Sequence, residues 1–446
     1  MVTNRPSPRA FDYLSMNVYY FGISFMWNSL GRFLLQALMP QAHLAGHANA
    51  EAAFGVLSFL GLLIATIVQP LAGMFSDRFT SRWGRRRPFM FVGTLADLVF
   101  LAAIAFAPNL AWLVVAYCLL QFSSNIAHGP YQGLLPDLVP EEKRGIASGV
   151  KQFIDTFGLI AAALITATLI AAPNSDVPTN VRTMLALIAF VLVGTMLINV
   201  LAVREPPATR AAAPAAWRTE FTRQTLRRAI HFGHAYPDFA WLIGARLLLL
   251  GALALLSNYA QFYFQKVLFA EISDLDVAIK AAVKLQGDLL TTVVMVLLAV
   301  TLAAGPLADR FGRKPINILG GLIALSGAIL LLFVRNVVWL HLGFFALTDL
   351  LIAGGLIGAG MGLFASANWA WAVDLTPPDR SAHFLGLTNI ATAGATVLSS
   401  LFGPAISVLN AQEAGRGFTA MFLVAMAGFG IGVLMLTRVR ETRRQP

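Results

Sequence analysis

A short charged stretch interrupts the apolar runs of this chain twice, and it constrains the fold more than any other feature. Residues 73–89 read GMFSDRFTSRWGRRRPF, and residues 305–315 read GPLADRFGRKP. Gly73, Asp77, Arg78 and Phe79 align in order with Gly305, Asp309, Arg310 and Phe311. The first copy then carries Thr80 to Trp83 before Gly84 aligns with Gly312. A second pair of stretches follows in the same order. DLVPEEKRGIASG at 137–149 aligns with DLTPPDRSAHFLG at 374–386, matching Asp137, Pro140, Lys143 and Gly149 to Asp374, Pro377, Arg380 and Gly386. Two motifs recurring in one order at nearly one spacing mark an internal duplication, and each half should fold as a similar bundle.

The solvent around these halves is lipid. Apolar residues make up 57% of the chain and charged ones 12%, with a mean hydropathy of +0.71; a soluble domain carries about 25% charge. One crossing takes roughly 20 apolar residues, so the apolar content suffices for about twelve. The sequence predicts an all-α membrane protein with twelve transmembrane helices in two duplicated six-helix bundles. The first bundle takes residues 1–203, with helices at 13–39, 54–76, 88–107, 110–135, 145–171 and 181–202. The second takes 238–446, with helices at 238–266, 283–307, 315–335, 339–371, 382–409 and 416–437. The run 339–371 exceeds one straight span, so it is expected to tilt or to start outside the hydrocarbon. Residues 204–237 form a cytoplasmic linker. It opens on a Pro/Ala-rich segment and continues through an arginine-rich stretch, 217–230, long enough for a short surface helix.

Most of the 32 lysines and arginines fall in the termini, the linker and the loops that follow even-numbered helices. That bias predicts a multi-pass protein of the cell membrane with both termini cytoplasmic. It also explains the net charge of +10 as a topology signal, and no nucleic-acid partner is expected. The single cysteine, Cys118, allows no intrachain disulfide and no thiolate metal cluster. The opening MVTNRPSPRAFDY carries no cleavage signal, so the first helix reads as a retained span. No catalytic set, phosphate-cradling loop or metal-ligand spacing is found. No enzyme activity, cofactor, metal or ATP-driven pumping is expected.

Duplicated six-helix halves with Gly-x-x-x-Asp-Arg and a following Gly and basic cluster, after the second and eighth helices, resemble the major facilitator superfamily. Asp77, then Arg82-Trp83-Gly84-Arg85-Arg86-Arg87-Pro88-Phe89, is similar to the sucrose transporters and their glycoside–pentoside–hexuronide relatives. So is the stretch from Asn125 through Gly129-Pro130 to Asp137-Leu138. The resemblance implies a secondary active transporter that moves a small polar solute, such as a sugar or glycoside, by alternating access. A proton or another cation would drive it. The resemblance also implies that the first, fourth, seventh and tenth helices surround the central cavity. A cytoplasmic gate would be built from Asp77, Arg78, Arg85, Arg86, Asp309, Arg310 and Arg313, with the carboxylates near helix N-termini. The same residues also read as a plain topology anchor. The chain is expected to act as a monomer in the bilayer.

Polar stripes mark the helices that would line such a cavity. On the fourth helix Gln121, Ser124, Asn125, His128 and Gln132 share one face. On the first, Tyr13, Asn17, Tyr20, Ser24, Asn28 and Arg32 do so. The seventh offers Asn258, Gln261 and Gln265, and the eleventh Asn389, Thr392, Thr396 and Ser400. A polar face in lipid is costly unless it lines water or packs on protein. The candidate solute-binding residues are therefore Asn28, Arg32, Gln121, Asn125, His128, Gln132, Asn258, Tyr259, Gln261 and Trp369. Trp27 and Trp371 are further flat platforms for a sugar ring. Interhelical hydrogen bonding is the other reading of every stripe.

Seven charges lie inside helices: Arg32, Asp97, Lys151, Asp155, Arg246, Asp288 and Asp349. Each costs roughly 2.5–3.5 kcal/mol if left unpaired near the bilayer centre. Lys151 and Asp155, one turn apart, can neutralise each other. Four acids against three bases leave one acid without a cation. The sucrose-transporter resemblance implies a proton-accepting carboxylate on the fourth helix at the position of Gln121, and an amide cannot titrate. Coupling would then fall to Asp97, Asp349 or Asp155. Asp97 is the first choice, because reflection through the turn at Pro108 and Asn109 sets it at the depth of Gln121. Two further functions fit the pattern: an exporter of amphiphilic or lipid-like molecules, and a non-transporting membrane receptor.

Overall fold

A computed structural model of the chain describes residues 10–140, 143–203, 205, 236–342, 345–376 and 381–441, and structural statements below concern these residues. Helix α1 runs Ala10–Ser29, passes through a π turn at Leu30–Leu34 and closes at Leu35–Leu38. Next come α2 (Gly46–Arg78), α3 (Arg87–Ala105) and α4 (Leu110–Gln132, extended by Leu134–Leu138), then α5 (Arg144–Ile170) and α6 (Val177–Ala202). The second set is α7 (Pro237–Tyr263, with a π turn at Phe264–Leu268), α8 (Leu275–Phe311) and α9 (Arg313–Leu331). A β-hairpin of β1 (Val338–Leu342) and β2 (Phe345–Thr348) precedes α10 (Asp349–Asp374). Helix α11 (Ser381–Ser400, continued by Gly403–Gln412) and α12 (Arg416–Arg438) complete the order. Eleven of the described helices are long and apolar enough to cross a membrane. Helix α1 precedes these eleven.

Helices dominate because lipid offers backbone groups no partner, and only a helix satisfies them within one segment. Their starts are written locally. Asn109 accepts from the Trp112 amide at 2.9 Å to open α4, and Thr348 accepts from the Leu351 amide at 3.2 Å to open α10. Prolines at the first turns of α3, α6 and α7 forgo an amide that would have no helical partner there.

The element order matches the expectation except at a few places. The run 339–371 is not one helix: its first third is the hairpin, and α10 begins at Asp349. Val337 to Leu342 is rich in β-branched and aromatic residues, and a short apolar run cannot be assigned to helix or strand by periodicity alone. Helices α2 and α8 begin about two turns earlier than expected, at Gly46 and Leu275. The eleventh helix breaks at Leu401 and Phe402, ahead of Pro404. The expected surface helix at 217–230 lies outside the described residues.

The chain divides into two compact units. The first is Met1–Ala215 with Leu275–Lys284, the opening turns of α8. Asp276 there accepts from the Val177 amide at 3.0 Å, and the Lys280 ammonium donates to the Ser175 carbonyl at 2.6 Å. Within this unit α1 packs on α5 and α6, α2 on α4, and α3 on α4 and α6. The second unit is Ala216–Asp274 with Leu285–Pro446. In it α7 packs on α11 and α12, and α9 on α10 and α12. Gly358 and Gly362 bring α10 against Val293 and Leu297 of α8. The same helix pairs recur in both units, as a duplication requires. At the crossing of α9 and α10 a Cβ on Gly320 would stand 2.6 Å from the Gly360 carbonyl, so the backbones touch where small residues allow it.

Candidate functional site

The first unit holds a cavity of about 400 Å³, within the roughly 300–1,000 Å³ usual for small-molecule sites. Its walls are Ile23, Ser24, Trp27, Asn28 and Arg32 of α1, His128 of α4, and Gln152, Asp155, Thr156 and Leu159 of α5. Seven of its ten lining residues carry polar side chains, and Trp27 adds a flat aromatic wall. Along α1 a ladder orders the polar groups. Asn28 donates to the Ser24 carbonyl at 2.8 Å and accepts from the Arg32 Nε at 3.0 Å. Ser24 donates to the Asp155 carbonyl at 2.7 Å, tying α1 to α5. Arg32 sits in the π turn, where the Leu35 amide reaches back to the Leu30 carbonyl and rotates the following side chains. His128 packs edge-on to Tyr20 and hydrogen-bonds the Gln132 amide nitrogen at 3.2 Å. The Lys151 ammonium lies 4.4 Å from the Tyr20 ring centre, a cation–π contact.

The structure brings Asn28, Arg32 and His128, three of the expected solute-binding residues, to one cavity together with Asp155, one of the expected coupling candidates. Gln152 and Thr156 were not expected there. They fall one turn apart on the α5 face carrying Asp155, a stripe that helix periodicity could have revealed. Gln121 and Asn125 do not line the cavity. Gln121 donates to the Tyr117 hydroxyl at 2.9 Å and lies against Gly61 of α2, and Asn125 donates to the Gln121 carbonyl at 2.7 Å. Gln132 is exposed beside His128.

In the second unit Asn258 donates to the Ser399 hydroxyl and Tyr259 to the Ser400 carbonyl, both at 2.9 Å, joining α7 to α11. Gln261 is fully buried, and neither end of its amide has a hydrogen-bond partner; Gln265, one turn on, is alike. Trp369 points outward with 44% of its surface exposed, while Trp371 is fully buried. Two positions along a helix turn about 200°, which sends these rings to opposite sides. An apolar cavity of about 340 Å³ lies among α7, α11 and α12, lined by Leu247, Gly251, Leu398, Phe402 and Val424.

The three candidate coupling carboxylates have different surroundings. Asp155 faces the polar cavity. Asp97 is fully buried: one carboxylate oxygen accepts from the Ser123 hydroxyl of α4 and the other has no partner. The expected neighbour was Gln121, but Ser123 lies 200° further round α4 and faces α3. Asp349 occupies the first turn of α10 and accepts from the Arg335 and Leu350 amides, both at 2.8 Å. That is the work of a helix-capping group.

The charged motif forms one network in each unit. In the first, the buried Arg86 guanidinium pairs with Asp77 at 2.6 Å and Asp137 at 3.1 Å and donates to Ser76; Arg85 reaches Asp137 at 2.9 Å. In the second, Arg313 pairs with Asp309 at 2.7 Å and Asp374 at 3.4 Å. Arg78 is exposed, and Arg310 lies over the Phe311 ring. Each network is closed by a carboxylate that sequence reasoning missed. Glu205 accepts from the Arg85, Arg86 and Arg87 amides at 2.8, 2.9 and 2.9 Å, capping α3. Glu441 accepts from the Arg313 and Lys314 amides at 2.8 and 3.0 Å, capping α9. Val-Arg-Glu recurs at 203–205 and 439–441, a repeat that could have identified both. Gly84 and Gly312 make the caps possible, with φ of 97° and 98° and no Cβ to displace the glutamate. The amide roles follow the sequence alignment of the copies, but the guanidinium role shifts by one residue, from Arg313 to Arg86. Asp309 and Arg313 are one helical turn apart. The insertion Thr80 to Trp83 removes that relation in the first copy, so Asp77 is reached by a different arginine.

Residues 22–367 match the family described as MFS/sugar transport protein. The sucrose transport protein SUC4 of Arabidopsis thaliana is 27% identical over 252 residues, which cover 50% of this chain and 48% of that one. The sucrose transport protein SUT1 of Oryza sativa subsp. japonica is 28% identical over 138 residues, 26% of this chain and 25% of that one. The matched stretches thus span half or less of these relatives' length. Among solved structures, a peptide transporter POT is similar with a TM-score of 0.71 at 15% identity over 97% of this chain and 96% of that one. A D-xylose-proton symporter is similar with a TM-score of 0.66 at 17% identity over 97% and 98%. These likenesses establish the fold, a bundle of membrane-crossing helices shared with transporters. The match over residues 22–367 assigns the chain to the MFS/sugar transport protein family, of which it is a multi-pass membrane member.

Proposed function

We propose that this chain is a secondary active transporter that moves a sugar or glycoside across the cell membrane by alternating access. The polar cavity of the first unit carries the reading. Amide, hydroxyl, imidazole and guanidinium groups line it beside Trp27, the mix of donors, acceptors and flat apolar surface that a polyhydroxylated ring needs. Sucrose transporters among the similar proteins point to the same solute class. Both termini face the cytoplasm in this proposal, on the strength of the basic loops, and the working unit is a monomer.

Coupling to a proton is part of the proposal, and Asp155 is the carboxylate assigned to it. Among the three candidates it is the one that lines the cavity, where solute and proton can influence each other. The gate role of Asp77, Arg78, Arg85, Arg86, Asp309, Arg310 and Arg313 belongs to the proposal as well: the Arg86 and Arg313 clusters tie helix ends together on the basic side and must rearrange if that side opens.

Counterflow in proteoliposomes tests the reading. Protein loaded with unlabelled sucrose, or with another glycoside from a panel, should accumulate the labelled form transiently. Asn28→Ala and Thr156→Ala should each weaken apparent affinity about 3- to 10-fold, the loss of a net hydrogen bond. A folded protein without counterflow for any sugar in the panel would refute sugar transport. Saturable sugar binding without counterflow would instead identify a receptor.

A further inference from the structure

We propose that Arg246, Asn368 and Trp371 form a binding site in the second unit for a small oxyanion, a carboxylate or a phosphate. The proposal does not depend on the solute being a sugar.

Arg246 lies between two and three turns into α7, and its guanidinium is half-buried. Its hydrogen bonds go to neutral groups. Nη1 donates to the Asn368 side-chain oxygen of α10 at 2.7 Å, and Nε donates to the Thr392 hydroxyl of α11 at 3.3 Å. No carboxylate is within ion-pair distance of it among the described residues. The contrast within this molecule is direct, since Arg86 and Arg313 each hold two carboxylates. A cation in a bilayer-spanning bundle without a counter-charge is costly, and a ligand that brings the charge removes that cost.

The neighbouring groups set the sign of the ligand. Asn368 is fully buried; its oxygen is taken by Arg246, and its Nδ2 has no partner. Trp371 is fully buried as well, and its indole Nε1 has no partner. Residues 368 and 371 are three apart and share a face of α10. Arg246 keeps three further N–H groups beyond the two hydrogen bonds named. Every unused polar group in the cluster is thus a donor. A neutral hydroxyl could accept from one donor but would leave the guanidinium charge standing. An oxyanion supplies acceptors and charge at once, and arginine matches its planar geometry.

Purified full-length protein in detergent tests this by thermal denaturation with increasing glucuronate, inorganic phosphate or glucose, at ionic strength held with sodium chloride. Glucuronate or phosphate should raise the midpoint saturably. Arg246→Gln should weaken the apparent affinity for that anion about 10- to 100-fold, as expected for a lost charge-assisted bond. Trp371→Phe keeps an aromatic side chain but removes the donor with part of the indole, so its midpoint without anion is read first; a several-fold loss of anion affinity is expected. Response to glucuronate but not phosphate would assign the anion to an acid group carried on a sugar. Response to both would assign a free-anion site. No anion-dependent shift in the unmodified protein overturns the proposal, as does a shift that Arg246→Gln and Trp371→Phe both leave unchanged.

Discussion

Glu205 is expected to hold the first turn of α3 in place, and the effect can be worked from its contacts. Its carboxylate accepts from three successive amides, those of Arg85, Arg86 and Arg87, at 2.8–2.9 Å. Removing a helix N-terminal acceptor costs about 1 kcal/mol. Removing a negative charge from that end costs roughly another 0.3–1 kcal/mol. Glu205→Ala should therefore lower the local opening free energy by about 2 kcal/mol, which corresponds to about 30-fold faster exchange of these amides. Hydrogen exchange followed by mass spectrometry on peptides spanning residues 84–90 reads this directly. Glu205→Gln keeps an acceptor oxygen and should lose about half the free energy. Gly84→Ala should reproduce the defect, because a Cβ there would lie about 2.7 Å from the carboxylate and the φ of 97° disfavours any side chain. The two changes together should be no worse than the larger alone, since they remove one interaction. Glu441→Ala should speed exchange at Arg313 and Lys314 and leave α3 untouched. Unchanged exchange at Arg85 to Arg87 in Glu205→Ala would refute the capping account.

Four further outcomes are expected. Arg86→Ala strands Asp77 and Asp137 and should destabilise the solubilised protein by about 2–3 kcal/mol, less than a fully buried pair because Asp77 is half-exposed, whereas Arg78→Ala should change its thermal midpoint little. Asp155→Asn should abolish pH-gradient-driven accumulation while leaving exchange intact, and Asp97→Asn should retain the gradient response; the reverse pattern in liposome uptake would move the coupling to α3. Gly320→Leu should push α9 off α10 and lower the yield of monodisperse protein in size-exclusion chromatography. Asp176, outside the spans, caps α6 through the Thr179 amide, and hydrogen bonds from the Thr179 side chain and then its amide hold its carboxyl below the ordinary aspartate range. A depressed folded-state value contributes stability above the unfolded pKa and loses it as pH falls through the folded one, so Asp176→Asn should flatten the acid limb of a pH–stability curve.

The sequence by itself determined the helical membrane class, the order of the helices, the duplication and the bias of basic residues to alternate loops. Each of these is written along one dimension: the length of an apolar run, the spacing of a repeat, the placement of lysines and arginines. It also singled out Asn28, Arg32, His128 and Asp155 as candidates, because a polar side chain in an apolar run is costly, and all four line one cavity. The tertiary structure decided which polar faces meet space and which meet protein. Gln121 and His128 share a stripe on α4, yet Gly61 lets α2 come close enough to take Gln121 into packing while His128 reaches the cavity. Asp97 was placed at the right depth but the wrong azimuth, against Ser123. The hairpin before α10 was read as helix because a short apolar run satisfies either period. Glu205 and Glu441 stood in a three-residue repeat, too short to register until the folded chain brought each beside a helix N-terminus more than a hundred residues earlier in the sequence. A stripe fixes the direction of a side chain relative to its own helix axis. What that direction meets depends on how closely the neighbouring helix can approach, and that is set by residues far away in the chain.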